Sequence, residues 1–177
     1  MLFWHTGGTI ALVRYAFRDE RMDLRFLVLG ALLADLIDTP IGLLFYDSLG
    51  AVRLVGHSFA FAATAMVVVL LTTRRGRPRK RWMPVAVGIL VHLLLDAMWA
   101  DPETLWWPLL GWGFTPAGPT GAGDYVVSIV TDWRVWAMEA AGAAYVIYLW
   151  RKGNLGAAEA RAELLRTGVV NVPIDRR

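Results

Sequence analysis

The three histidines of the chain, His5, His57 and His92, all stand in apolar sequence, and Asp35, Asp38 and Asp96 stand in sequence of the same kind. Ionisable side chains at membrane depth are costly, so they are rare and turn toward a protein interior or a water-filled cavity. Imidazole and carboxylate together make up the ligands of a zinc-type site, and a catalytic site of that type keeps one position open for water. The absence of cysteine excludes both a thiolate site and a disulfide. His92 and Asp96, four residues apart, share one face of a helix. These residue types point to a divalent metal, Zn2+ first, on His57, His92 and Asp96, with His5 and Asp35 completing or sharing the site. Asp38 is the candidate base or the partner that orients a ligand imidazole. Asp35, if it is not a ligand, is a second carboxylate able to take the proton of an attacking water.

Bringing these residues together requires several helices. The 177 residues are 56% hydrophobic and only 19% charged, against about 25% charged in an ordinary soluble domain. The expected fold is all-α, an integral membrane helical bundle with four transmembrane spans at Leu24–Tyr46, Val55–Thr72, Met83–Ala100 and Trp133–Trp150. Met1–Val13 has no basic n-region and no A-x-A exit, so it reads as a short half-membrane helix carrying His5 rather than a cleaved signal. Residues 1–153 form the expected membrane-embedded domain with the metal site. Residues 154–177 form a short cytoplasmic appendage, with an amphipathic helix at Ala157–Arg166 and a tail, Thr167–Arg177, without clear structure.

Orientation follows from the basic residues. The turn Arg74–Arg81 (RRGRPRKR), the segment Arg14–Arg25 with its four arginines, and Arg151–Lys152 all fall on one side of a four-span chain. The positive-inside rule makes that side cytoplasmic, including the C-terminus, in a multi-pass protein of a prokaryotic-type inner (plasma) membrane. The opposite side holds Asp47, Asp101, Glu103, Asp124 and Asp132, with Arg53 and Arg134 as its bases. Tryptophans mark both interfaces, Trp82 and Trp150 within and Trp99, Trp106, Trp107, Trp112 and Trp133 without. In this topology all six chemistry-bearing residues reach the same middle-to-outer layer. The basic turn reads as a contact for membrane lipids rather than nucleic acid, and neither a Walker loop nor a Rossmann fingerprint is present.

Other features have open readings. Glu139, inside the fourth span, is an extra ligand, a partner of Arg53 or Arg134, or a protonated packing residue. The stripe Ala137, Ala140, Ala141 and Ala144 suits close helix packing. Asp35 and Asp38 can instead cap a helix broken near Pro40. The long connection Asp101–Thr131 is an aromatic interfacial anchor or a lid over the site. Ser58 reads as packing.

The chain also resembles the membrane-bound metal-dependent hydrolases that include the LexA-binding, inner-membrane-associated hydrolases of bacteria. The resemblance rests on His5, on Leu33-Ala-Asp-Leu-Ile-Asp38 with Thr39-Pro40-Ile-Gly42, on Gly56-His57-Ser58, and on the run from His92-Leu-Leu-Leu-Asp96 to Pro108. It implies a divalent-metal site on His5, Asp35, Asp38, His57, His92 and Asp96. The family is likened to zinc-dependent phospholipase C, which implies hydrolysis of a phosphoester in a phospholipid-like substrate. Many members read His-Arg-x-x-Thr-His-Ser around the central histidine, whereas here Val52 precedes Arg53, which favours one metal over two. Arg53 and Arg134 are candidates to hold the phosphate, or they snorkel to the interface. The alternative function is a non-catalytic protein that binds or conducts an ion or proton on the same cluster.

Overall fold

The computed structural model describes residues 1–173; residues 174–177, the end of the expected tail, lie outside the described part. All regular secondary structure among the described residues is helical: α1 (Leu2–Phe17), α2 (Leu24–Leu44), α3 (Tyr46–Leu49), α4 (Phe59–Thr72), α5 (Arg77–Leu95), α6 (Pro102–Leu105), α7 (Ala122–Thr131), α8 (Trp133–Lys152) and α9 (Ala158–Thr167). The most extensive packing joins α2 to α5 and α1 to α8, and α1 also rests on α2 while α4 rests on α5.

Both major contacts are made where a glycine lets two backbones touch. A Cβ on Gly30 would overlap the Val85 carbonyl of α5, and one on Gly88 would overlap the Leu27 carbonyl of α2. Gly7 and Gly142 do the same for α1 and α8. The alanine stripe is not the packing face: Ala137, Ala140, Ala141 and Ala144 are exposed, while Gly142 and Leu149 are buried. Gly142 admits the backbone of α1 at Phe3 and Trp4, closer than any alanine could.

The first and last expected spans correspond to α2 and α8. Asp23 begins α2 by accepting the Arg25 amide at 3.2 Å, and Asp132 begins α8 by accepting that of Arg134 at 2.9 Å. Helix α2 runs through Pro40 instead of breaking there. Of the two middle expected spans, the first corresponds to the shorter helix α4, with 14 residues, and the second is displaced toward the N-terminus as α5, with 19 residues. Val55–His57 forms a 3-10 turn, and Ser58 caps α4 by accepting the Phe61 amide at 3.1 Å. Helix α5 ends at Leu95 because Ala97 adopts a left-handed conformation (φ 53°) that no right-handed helix can continue.

Among the described residues, Leu24–Leu44 is the one helix long and apolar enough to cross a membrane, while Phe59–Thr72 and Ala122–Thr131 are apolar but shorter. A polar cluster is buried while many large apolar side chains are left on the surface. His5, Asp38, His57 and His92 are at most 1% exposed, whereas Leu71 is 80% and Trp112 79% exposed. At the basic end, Val13, Leu27, Leu149, Leu155, Val170 and Val172 share one core, so the segment after α9 is packed although it is not helical.

Candidate metal centre

Four elements deliver the site: the first turns of α1, the second half of α2, the turn before α4 and the end of α5. The opening amides of any helix lack intrahelical partners, and in α1 Glu139 of α8 supplies them, accepting from Phe3 N at 2.9 Å and Trp4 N at 3.4 Å. Trp4 Nε1 donates to the Leu95 carbonyl at 3.3 Å and ties α1 to the end of α5. These bonds fix His5, whose ring stacks on that of His92 with centroids 4.1 Å apart. Glu139 is therefore a helix cap, not a ligand or an arginine partner.

The donor atoms converge. His5 Nε2 lies 3.1 Å from Asp96 Oδ1 and 3.7 Å from Asp35 Oδ2. His57 Nε2 lies 3.2 Å from His92 Nε2, 3.4 Å from Asp35 Oδ1 and 3.6 Å from Asp96 Oδ2. His92 Nε2 lies 3.8 Å from Asp35 Oδ1. Ligands held tetrahedrally with bonds of roughly 2.1 Å stand about 3.4 Å apart, and these separations bracket that value. His5, Asp35, His92 and Asp96 alone offer four ligand atoms within 4.8 Å of one another.

The hydrogen bonds behind the rings set their tautomers. His92 Nδ1 sits 2.6 Å from the Ala31 carbonyl, which can only accept, so Nδ1 carries the proton. His57 Nδ1 sits 2.8 Å from Asp38 Oδ2 and is likewise the donor. With Nδ1 of each ring so engaged, the two Nε2 atoms face each other at 3.2 Å. Such a pair repels unless a cation or a shared proton lies between the rings. Asp96 Oδ1 and His5 Nδ1 add two further buried polar atoms without a hydrogen bond. The donor set fits a divalent cation.

Asp38 holds the turn that carries His57. It accepts the amides of Leu54, Gly56 and His57 at 2.7, 3.0 and 3.1 Å in addition to the imidazole. With those four donors on a buried carboxylate, Asp38 orients the His57 imidazole. Asp35 is different: 28% of its side chain is exposed, at the mouth of a cavity of about 220 Å³ that His5, His57, Asp96 and Arg53 also line. Arg53 donates from Nε to Asp96 Oδ2 at 3.2 Å and from Nη1 to Asp101 Oδ2 at 2.8 Å.

Residues 2–156 match the family described as YdjM inner membrane protein. The chain belongs to that family. Membership agrees with the apolar exterior around a polar centre. No curated protein matches the chain, and no solved structure does.

In this YdjM family member the structure gathers all six residues singled out in the sequence and adds Arg53 at the rim. It leaves Arg134 out. That side chain is exposed and does not line the cavity, because the Asp132 cap starts α8 in a register that points Arg134 outward. Sequence reasoning missed α7, whose Tyr125, Val126, Ile129 and Val130 wall the cavity. Its signal was weak: ten residues rich in β-branched side chains, inside a connection full of glycine and proline.

Proposed function

We propose that this protein is a multi-pass, membrane-embedded, metal-dependent hydrolase of a phosphoester, with its cup opening away from the basic, cytoplasmic side. The Nε2 atoms of His57 and His92 turned to one another, with the carboxylates of Asp35 and Asp96 at ligand spacing, carry this reading. His5, His57, His92, Asp96 and Asp35 would hold the ion. A divalent cation there would supply hydroxide at neutral pH, since coordination brings the pKa of water to about 7. Asp35, the accessible carboxylate, would bind by one oxygen and take the proton of the attacking water on the other. Arg53 stands beside Asp96 with its charge toward the cavity, where a phosphoryl oxygen would lie.

A conducting role has less support. Away from the mouth, the three site helices continue into fully buried Thr9 and Val13, Ala31 and Leu27, and Ile89, which close the cup with little polarity. The test is metal analysis of the purified protein after zinc reconstitution, together with hydrolysis of bis(p-nitrophenyl) phosphate. The native protein should retain metal and turn over, and His92→Ala and Asp96→Ala should lose both together. Undiminished hydrolysis in both variants would refute the assignment.

A further inference from the structure

Two cavities flank the cup and differ in character. On one side Arg53, Asp101, Thr115, Tyr125 and Ser128 line a chamber of about 280 Å³, which shares Arg53 and Tyr125 with the cup. Thr115 Oγ1 is buried without a hydrogen-bond partner, a polar atom that a polar ligand would satisfy. On the other side Leu2, Leu29, Leu32, Leu36 and Pro40 line a groove of about 510 Å³. Its polar edge is Asp35 and Thr39, and both also line the cup.

We propose that the groove seats one hydrocarbon chain of an amphiphilic phosphoester, with the phosphate over the cup and the remaining head in the Arg53 chamber. The order apolar groove, ligand cluster, polar chamber is the order of parts in a lipid. Positions 29, 32, 36 and 40 repeat every three to four residues, so the groove is a continuous stripe along α2. From Leu29 to Pro40 that stripe is about 16 Å long at helical rise. Asp35 meets the stripe part-way along it, so about 9 Å of groove runs from the cup to Leu29, enough to seat the first part of one chain. Leu36 is 66% and Leu2 56% exposed, which leaves the groove open along its length. The substrate would enter sideways from the bilayer, past the start of α1, and the groove volume falls within the range of small-molecule sites.

The chemistry rests on the phosphoester reading, but the seat does not need turnover, and the experiment separates the two. The full-length protein in detergent is photolysed with a phosphatidylethanolamine bearing a diazirine near one chain end, and adducts are mapped by mass spectrometry. The same preparations are assayed on a long-chain phospholipid and on bis(p-nitrophenyl) phosphate. Adducts should concentrate between Leu29 and Pro40, fall in Leu32→Trp, and persist in Leu71→Trp, a control on the exposed face of α4. Leu32→Trp should also shift the ratio of rates against the long-chain substrate by about tenfold, what a few buried methylene contacts are worth. Adducts spread evenly over α2, α4 and α8 would overturn the groove, as would a rate ratio unmoved by Leu32→Trp. Adducts confined to the groove in a metal-loaded protein that hydrolyses neither substrate would leave the seat standing and remove the hydrolase.

Discussion

Replacing Asp38 with asparagine tests whether the site is held from behind by a carboxylate. Oδ2 accepts from Leu54 N, His57 N and His57 Nδ1, and Oδ1 accepts from Gly56 N. The side-chain amide of the Asp38→Asn variant would keep its oxygen on the side with three donors and turn its NH₂ against the Gly56 amide. One hydrogen bond to a charged group is then lost, worth about 1.5–3 kcal/mol of stability. His57 also loses its anionic partner, and loss of such an outer-shell contact weakens metal binding by about 10–100-fold, or roughly 1.4–2.7 kcal/mol. Competition with a chelator in detergent measures the affinity, and thermal unfolding followed by circular dichroism measures the stability. Asp38→Ala should not fold. It strands three amides and an imidazole at about 1–3 kcal/mol each, comparable to the roughly 5–15 kcal/mol that holds a whole domain together. Zinc affinity in Asp38→Asn within about twofold of native would refute the orienting role, which requires a tenfold loss or more.

Gly7→Ala should lower the melting temperature, because its methyl meets the Gly142 carbonyl and α1 must shift from α8; overpacking of this kind costs about 1–3 kcal/mol, and a native melting curve would contradict the packing. Glu139→Gln should destabilise by about 0.3–2 kcal/mol, the worth of a negative charge at a helix N-terminus, and should weaken zinc binding through His5; unchanged melting and affinity would show that α1 needs no cap. Burial raises the Asp23 carboxyl, but its hydrogen bonds and charge pairing with Arg25 outweigh that and hold it below 3.8. A carboxylate depressed in the folded state contributes stability that is present above pH 3.8 and lost as pH falls through its folded value. Arg25 also donates to the Leu165 carbonyl of α9, so α9 should become protease-sensitive only in acid below that pH, and at neutral pH only in Asp23→Ala. Sensitivity that does not rise at all in the native protein as the pH is taken from 7 to about 2 would contradict this.

The bundle was legible where patterns are local. The spans expected from Leu24 and from Trp133 begin where α2 and α8 begin. The residues of the candidate site were legible because ionisable groups stand out against an apolar background. What could not be read depends on residues far apart in the chain. Glu139 meets its partners across more than 130 positions, so no spacing rule exposes its capping role. The end of α5 was hidden for a different reason. Ala97 favours helix by propensity, yet it takes the left-handed conformation that lets the chain turn toward Asp101 and its bond with Arg53. Arg134 was chosen for its charge and side of the membrane, neither of which gives the direction of a side chain on a helix.

The placement of His5 has a consequence for biogenesis. Its helix is docked by Gly142 and Glu139, near the other end of the chain. Once the first hundred residues have been translated, His57, His92, Asp35 and Asp96 have been made, but α8, the element that seats the fifth donor, has not. A nascent chain thus offers scattered donors to passing cations, and the full ligand set exists only once the last long helix has been inserted. On the proposed metal reading, stable capture of an ion would report completed assembly, and a chain truncated before α8 would not retain one.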